Sequence, residues 1–343
     1  MAISHLKSQS GSRTNPTPGL ISIVIPCYNA KETIREAIDS ALNQNYATVE
    51  VIVIDDGSTD QSSDVVLTYG EALRFTSSEN FGVSHARNKG TKLARGEFIQ
   101  YLDSDDVLAK NTIQRRVDAL LEMDADVAYT DWQKFAVGAA GRFQYGEKVS
   151  VAMEDVDKDP QIACATAFWV PPAAVLYRTR IVEAIGSWNE TLTMAEDARF
   201  LFDAAYNGAR FVRVPGVGAY YREDNPDSLS KRNKCEFATC VLRNANQIQA
   251  LWISKSELSN RQREALISIY DYAARELFNR DEQQFMIAVN ALNELAAGKF
   301  LNYTKLAGML TKLFGIGLAR IIIDKLLAFK AYVGRPSFLP QLF

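Results

Sequence analysis

Apolar and polar positions alternate along the first half of the chain as expected of buried strands joined by amphipathic helices. Short β-branched runs predict strands at residues 21–27, 49–54, 73–76 and 98–102. Apolar residues at spacings of three and four predict helices at residues 30–44, 58–68 and 84–94. Asn29 is the expected N-cap of the first helix, and Ser58 or Thr59 that of the second. Because nearly continuous apolar strands alternate with helices, we expect a mainly parallel sheet buried on both faces.

The pattern is looser after residue 106. Helices are predicted at residues 112–123 and 196–206. Strands or hairpin segments are predicted at residues 127–130, 135–151, 173–177, 211–214 and 217–221. From residue 235 only helical spacing remains, so the expected units are a flexible tail (1–19), an α/β domain (20–230, divided after residue 106) and a helical region (231–343).

Polar residues follow three of the predicted strands, at Tyr28-Asn29, Asp55-Asp56 and Asp103-Ser104-Asp105. Carboxyl ends of parallel strands meet at one edge of a sheet, so these residues should converge in a cleft. In LDSDD, residues 102–106, three carboxylates crowd into four positions and repel one another unless a cation lies among them. Mg²⁺ or Mn²⁺ held in this way commonly bridges to substrate phosphates. Alternatively, the acids only end the strand and cap the next helix.

Composition narrows the classes of function. A formal net charge of −3 gives no case for nucleic-acid binding, and four cysteines without CxxC spacing predict neither a disulfide framework nor a zinc site. With only two histidines, a Ser-His-Asp triad is not expected. The first twenty residues lack the apolar segment of a secretory signal, and no uninterrupted apolar stretch reaches about 18 residues, so we expect a cytoplasmic protein.

Two common phosphate-binding motifs are absent from the sequence. No GxGxxG follows the first strand, and no GxxxxGK[ST] occurs anywhere. A bound diphosphate would then depend on a metal and an arginine. Arg87, on the first turns of the helix at 84–94, is the candidate, although a lone helical arginine is usually exposed to solvent.

Four segments in order resemble the family 2 inverting glycosyltransferases of GT-A fold: SIVIPCYN (22–29), VIVIDDGSTD (51–60), residues 80–90 and LDSDD (102–106). The resemblance covers about residues 20–225 and implies a GT-A-type nucleotide-diphospho-sugar transferase fold with a mainly parallel central sheet. Residues 20–106 would form the nucleotide-binding half and 107–230 the acceptor half, followed by an all-helical C-terminal extension.

The resemblance also implies roles for single residues on the donor side. The residues that frame the nucleotide would be Pro26, Tyr28, Asp55 or Asp56, and Arg87. Asp103 would lie near the ribose and the metal, and Asp105 would ligate Mn²⁺ or Mg²⁺. Asp106 is expected to support the next segment.

On the acceptor side, Glu196-Asp197 begins a predicted helix, where acids are favoured by the helix dipole alone. The resemblance implies more, with Asp197 as catalytic base and Glu196 orienting the acceptor or the base. Trp188 would either stack on a sugar or belong to the core. Arg222 would reach the diphosphate, although the histidine that many relatives carry soon after this position is replaced here by Asp224-Asn225.

The predicted function is metal-dependent, inverting sugar transfer from a nucleoside diphosphate donor, UDP-linked by resemblance, to a hydroxyl of a glycan or lipid-linked glycan. A sugar-nucleotide pyrophosphorylase and a non-catalytic membrane-associated scaffold are the alternatives. The basic, amphipathic segment 299–335 either lies on an anionic membrane at the inner face of the cell membrane or docks on the catalytic unit.

Overall fold

The computed structural model describes residues 15–138, 142–151, 156, 158–223, 233–278 and 280–295. Within these residues a nine-stranded mixed sheet is the central element. Its strands are β1 (Thr17–Cys27), β2 (Val49–Asp55), β3 (Arg74–Ser77), β4 (Gly96–Tyr101), β5 (Val107–Leu108), β6 (Val127–Val137), β7 (Phe143–Val149), β8 (Val175–Arg178) and β9 (Phe211–Arg222). Across the sheet the order is β3-β2-β1-β4-β8-β6-β9-β5, and β7 pairs with β6.

Helices connect and cover these strands. They are α1 (Ile34–Leu42), α2 (Ser62–Leu67), α3 (Val83–Leu93), α4 (Thr112–Glu122), α5 (Pro160–Thr166), α6 (Thr179–Ile185), α7 (Glu196–Tyr206), α8 (Lys234–Lys255), α9 (Asn260–Leu277) and α10 (Glu282–Leu295). The apolar spacing of α1 buries Ile34, Ala37, Ile38 and Ala41, as its sequence pattern predicts.

The first half of the chain forms the predicted parallel sheet. β1 pairs in parallel with β2 and β4, and β2 pairs in parallel with β3. β1 is buried from Ile21 to Cys27 and β2 from Val51 to Asp55. Strands buried over such lengths explain their continuous apolar runs.

The second half adds strands of mixed direction. β8 runs antiparallel to β4 and β6, β9 runs parallel to β6, and β7 forms the predicted hairpin with β6. The separate strands predicted at 211–214 and 217–221 are wrong, because β9 is one strand. Its pairing with β6 shifts register at Asp131, and Gly216 has a φ of 93°, so the strand continues through an irregularity.

Two predicted helix caps are also wrong. Asn29 lies ahead of α1, which has Thr33 at its N-cap position, and α2 has Gln61 there. Asn29 instead has a φ of 47°, and its Oδ1 accepts a hydrogen bond from the Thr59 amide at 2.8 Å. The side chain therefore joins the loops that follow β1 and β2.

The C-terminal helices α8, α9 and α10 share the hydrophobic core of the sheet domain. The Trp252 indole on α8 donates to Gln161 Oε1 on α5 at 2.7 Å. The predicted boundary between residues 230 and 231 and the segment 299–335 lie outside the described residues, and β1 begins at Thr17, inside the predicted tail. In the part of the chain that the structure describes, no helix is long and apolar enough to cross a membrane.

Candidate active site

Arg87 connects two acidic segments that are distant in the sequence. Its side chain projects from α3 and is only 2% exposed. Nη2 donates to Asp103 Oδ1 at 2.6 Å, and Nη1 donates to Glu196 Oε1 at 2.8 Å. Because Asp103 follows β4 and Glu196 begins α7, the acids after the strand and the acids of this helix lie in one site.

Asp55 and Asp56, at the end of β2, are both almost fully buried. Asp56 accepts the amide N–H of Phe81 at 3.0 Å and that of Gly82 at 2.8 Å, which fixes the loop ahead of α3. Asp55 Oδ2 accepts the Ser77 hydroxyl at 3.0 Å. Both carboxylates thus shape the strand-end loops, and their predicted contact with a nucleotide stays a prediction.

Pro26 and Tyr28 occupy the neighbouring strand end. Pro26 pairs with Ile54 within the sheet, whereas Tyr28, just beyond β1, is 50% exposed. A half-exposed ring beside a cleft is available for stacking on a base.

The LDSDD loop turns tightly after β4. The Asp106 amide donates to the Asp103 carbonyl at 3.1 Å, and Asp106 Oδ1 accepts the Arg222 amide at 3.0 Å. Burial, with Asp105 and Asp103 close by, raises the pKa of Asp106 well above its ordinary range. Asp106 therefore connects the loop to β9, whereas the sequence predicts that it supports the next segment.

The same loop offers oxygen ligands for a divalent cation. Asp106 Oδ2 is buried and has no hydrogen-bond partner among the described residues, and the nearby Asp105 and Asp103 carboxylates add to the effect of burial in raising the pKa of Asp106. Within those residues no group of three or more His, Cys, Asp or Glu side chains forms a metal cage. Mg²⁺ typically needs only one or two carboxylates when waters and phosphates complete its shell, so the donor set fits.

Arg222, the last residue of β9, faces this loop. Its Nε donates to the Asp105 carbonyl at 2.8 Å, its guanidinium pairs with Glu36, and its Cζ lies 4.5 Å from the centroid of the Phe135 ring. The side chain thus lies against the predicted metal loop, and its contact with a diphosphate stays a prediction.

Glu196 and Asp197 form the first turn of α7, where the sequence predicts them. Burial raises the pKa of Glu196 to about 7, against the opposing effect of Arg87. Burial also raises the pKa of Asp197, which the hydrogen bond from Trp169 opposes. Both residues are half-buried. A half-buried carboxylate with a raised pKa is a stronger base than one in water, which suits general-base chemistry.

An aromatic cluster beside Asp197 was missed from the sequence. It consists of Trp132 on β6, Tyr221 on β9, and Trp169 in the segment ahead of β8. Their ring centroids are 5.5 to 6.0 Å apart. Proximity of Asp106, Asp105, Asp197 and Asp103 contributes, after burial, to raising the pKa of Tyr221. Because these three aromatic residues are on separate elements, their positions in the sequence show no periodic pattern. Only the folded structure shows that they form a cluster.

Trp188 belongs to the core. It is 2% exposed, stacks on Phe200 with centroids 4.0 Å apart, and lies under the Arg87 guanidinium at 4.3 Å. Of its two predicted roles, the core role is the one observed.

The mixed sheet, with acidic residues after β2 and β4, has the architecture predicted for a GT-A-type fold. Residues 22–184 match the family described as "Glycosyl transferase family 2". The "Uncharacterized glycosyltransferase RT0329" of Rickettsia typhi is 39% identical over 242 residues, which are 70% of this chain and 72% of that protein. The chain therefore belongs to glycosyl transferase family 2.

Solved structures confirm the predicted fold class. TarS 1–349 of S. aureus, in complex with UDP-GlcNAc, has a TM-score of 0.63 at 22% identity, covering 90% of this chain and 92% of that one. The mannosyltransferase PcManGT from Pyrobaculum calidifontis, in complex with GDP-Man and Mn²⁺, has a TM-score of 0.52 at 18% identity, covering 95% and 90%.

Proposed function

We propose that the protein transfers a sugar from a UDP-linked donor to a hydroxyl of a glycan or lipid-linked glycan, with inversion at the anomeric carbon. The observation that carries this proposal is the pair of hydrogen bonds from Arg87 to Asp103 and Glu196, at 2.6 and 2.8 Å. They hold the predicted donor-side acids and the predicted base region side by side, as a single displacement requires.

On the donor side, Tyr28 and Pro26 would contact the base, while Asp55 or Asp56 would accept a hydrogen bond from the base or ribose. Arg87 and Arg222 would add positive charge around the diphosphate. The complex of TarS with UDP-GlcNAc supports a UDP-linked donor for a protein of this fold.

Asp103 and Asp105 would hold Mn²⁺ or Mg²⁺. When bound there, the cation supplies charge neutralisation for the departing diphosphate, worth several kcal/mol of transition-state stabilisation. The Mn²⁺ complex of PcManGT supports metal use within this fold.

Asp197 would remove the proton from the acceptor hydroxyl as its oxygen attacks the anomeric carbon opposite the leaving group. A base of this kind contributes around 10²- to 10⁴-fold in rate. Glu196, fixed by Arg87, would orient the acceptor or Asp197. The partly exposed position of Asp197 at the start of a helix gives an acceptor access to it.

The donor and the metal are tested together. Thermal stabilisation by a panel of UDP- and GDP-sugars, with and without Mn²⁺, should select UDP-sugars in the presence of metal. Asp105→Ala should abolish the part of the thermal stabilisation that depends on Mn²⁺. Asp118→Ala, on the exposed side of α4, should leave it unchanged. Equal stabilisation of Asp105→Ala by metal would exclude Asp105 as a ligand.

The base and the stereochemistry are tested with the selected donor. Asp197→Asn should eliminate turnover while nucleotide affinity stays within about twofold. Proton NMR of the wild-type product should show an anomeric configuration opposite to that of the donor. Retained configuration would rule out the single displacement, and loss of nucleotide binding in Asp197→Asn would mean a different role for this residue.

For location, we propose attachment to the cytoplasmic face of the membrane through the basic segment 299–335. Flotation with anionic liposomes should require residues after 298. Equal flotation of a chain ending there would assign this segment to docking instead.

A further inference from the structure

Trp169 contacts the predicted base directly. Trp169 lies in the segment that connects α5 to β8, and its indole N–H donates to Asp197 Oδ2 at 2.7 Å. The amide of Ala198 donates to Asp197 Oδ1, also at 2.7 Å. Each carboxylate oxygen thus has one fixed donor, so the plane of the carboxylate is set by these two groups.

The indole ring is itself held by packing. Trp132 meets it edge to face at 5.5 Å and 87°, and Tyr221 does so at 6.0 Å and 87°. Such edge-to-face contacts prefer defined ring orientations. The direction of the Trp169 N–H bond is therefore fixed before an acceptor arrives.

We propose that Trp169 is a positioning residue that holds Asp197 in one orientation and in its ionised, proton-accepting form. This inference rests on the proposed role of Asp197 as base. An indole N–H can only donate a hydrogen bond, so it favours the carboxylate over the carboxylic acid.

Other charged and titratable groups also face Asp197. Arg87 from α3 opposes the effect of burial on the pKa of Asp197, whereas Asp103 after β4 adds to it. Glu196 precedes Asp197 on α7. The charge of Asp197 also contributes to raising the pKa of Tyr177 on β8 and of Tyr221 on β9. A test must therefore separate Trp169 from these groups.

Indole ¹⁵N NMR provides that separation without any substrate. The sequence has four tryptophans, and Trp169→Phe identifies the Trp169 resonance. This resonance should shift with pH in the wild type and lose the shift in Asp197→Asn. The Trp252 resonance, bonded to the neutral Gln161, should stay constant. A shift that persists in Asp197→Asn and disappears in Glu196→Gln would overturn the proposal.

Carboxyl ¹³C NMR then measures the effect on Asp197. Trp169→Phe removes the donor but keeps an aromatic ring, and should raise the pKa of Asp197 by about one unit. Trp252→Phe is the matched control, because the Trp252 indole donates to Gln161 and not to Asp197, and it should leave that pKa unchanged. Equal values in wild type and Trp169→Phe would contradict the inference. If Trp169→Phe does not fold, a tryptophan analogue with sulfur replacing the ring N–H keeps the shape.

Turnover distinguishes this inference from the proposed function. Since the ionised form of the base is the active one, the acidic limb of the kcat/KM profile should move to higher pH by the same unit in Trp169→Phe. If Asp197→Asn retains turnover, the proposed base is wrong. If Asp197→Asn is inactive while the limb of Trp169→Phe is unmoved, only the role of Trp169 is wrong.

Discussion

Arg87 and Glu196 are 109 residues apart in the sequence, yet the Arg87 guanidinium donates to Glu196 Oε1 at 2.8 Å. The same guanidinium holds Asp103, and only 2% of the arginine side chain is exposed. One buried cation therefore compensates two carboxylates from opposite halves of the site. The buried arginine and its two carboxylates depend on one another for stability, because a buried charge is tolerated only when it is paired.

Replacing Arg87 by Ala should destabilise the protein strongly. Asp103 would lose its counter-ion, and Glu196 would avoid an unpaired buried charge only by taking up a proton. The loss of one partner from a buried ion pair costs about 3–5 kcal/mol. Urea unfolding at neutral pH measures the difference. Arg280→Ala is the control, since Arg280 pairs with Glu276 at 2.7 Å where both side chains are over 30% exposed. That surface pair should contribute under about 1 kcal/mol, and equal losses would contradict a buried role for Arg87.

Glu196 should make stability depend on pH in an unusual direction. Its pKa in the folded protein is raised to about 7 from an ordinary 4.5, so the folded state binds a proton that the unfolded chain has released. Stability is then lost as pH rises from about 4.5 to about 7, by up to about 1.4 kcal/mol per unit.

Glu196→Gln should make this slope shallower, as urea unfolding at half-unit pH intervals can establish, and the part due to Asp197 and Asp106, whose pKa values are also raised, should remain. Glu282→Gln, in the first turn of α10, is a surface control that should leave the slope in place. An unchanged slope in Glu196→Gln would mean that Glu196 keeps an ordinary pKa.

Local patterns predict much of this fold. The helix α7 has the predicted bounds because its apolar spacing and its N-terminal acids are both encoded within eleven residues. The parallel strands could also be predicted from the sequence, since strands buried over much of their length show nearly continuous apolar runs. The approach of Glu196 to the acids after β4 followed from the resemblance, not from any local pattern.

Contacts that depend on tertiary structure could not be predicted in this way. Asn29 has a residue type that caps helices, but it bonds to Thr59 because two loops meet at the sheet edge. The bond from Trp169 to Asp197 spans 28 residues and joins a loop to a helix. Neither sequence position carries a periodic signal, so geometry alone reveals these partners.

Asp56 should control the order of the loop ahead of α3. Its carboxylate accepts the amides of Phe81 and Gly82, and hydrogen bonds to a charged group contribute about 1.5–3 kcal/mol each. Asp56→Ala should therefore lower hydrogen-exchange protection of these two amides by about tenfold or more. Asp64→Ala, on the exposed side of α2, should leave them protected. Unchanged protection in Asp56→Ala would show that other contacts hold the loop.

Gly90 should be required for the close approach of α3 to the sheet. A Cβ atom at this position would fall inside contact distance of Val24 Cγ1 on β1 and within 3.3 Å of Ile54 Cγ1 on β2. Overpacking of this kind costs about 1–3 kcal/mol, against a gain of about 1 kcal/mol from helix propensity. Gly90→Ala should therefore lower the free energy of unfolding. Gly146→Ala, whose nearest contact is Lys134 Cβ at 3.4 Å, should change it by under about 0.5 kcal/mol.

A double-mutant cycle identifies the cause of that loss. Val24→Ala removes the Cγ1 atom that the new methyl group would meet, so Gly90→Ala should cost less in the Val24→Ala background than in the wild type. Because Gly90 lies one turn after Arg87 on α3, the single variant should also weaken UDP binding, and the double variant should recover part of it. If the losses in free energy of unfolding from Gly90→Ala and Val24→Ala were strictly additive, a steric contact between the new methyl group and Val24 would not be the cause.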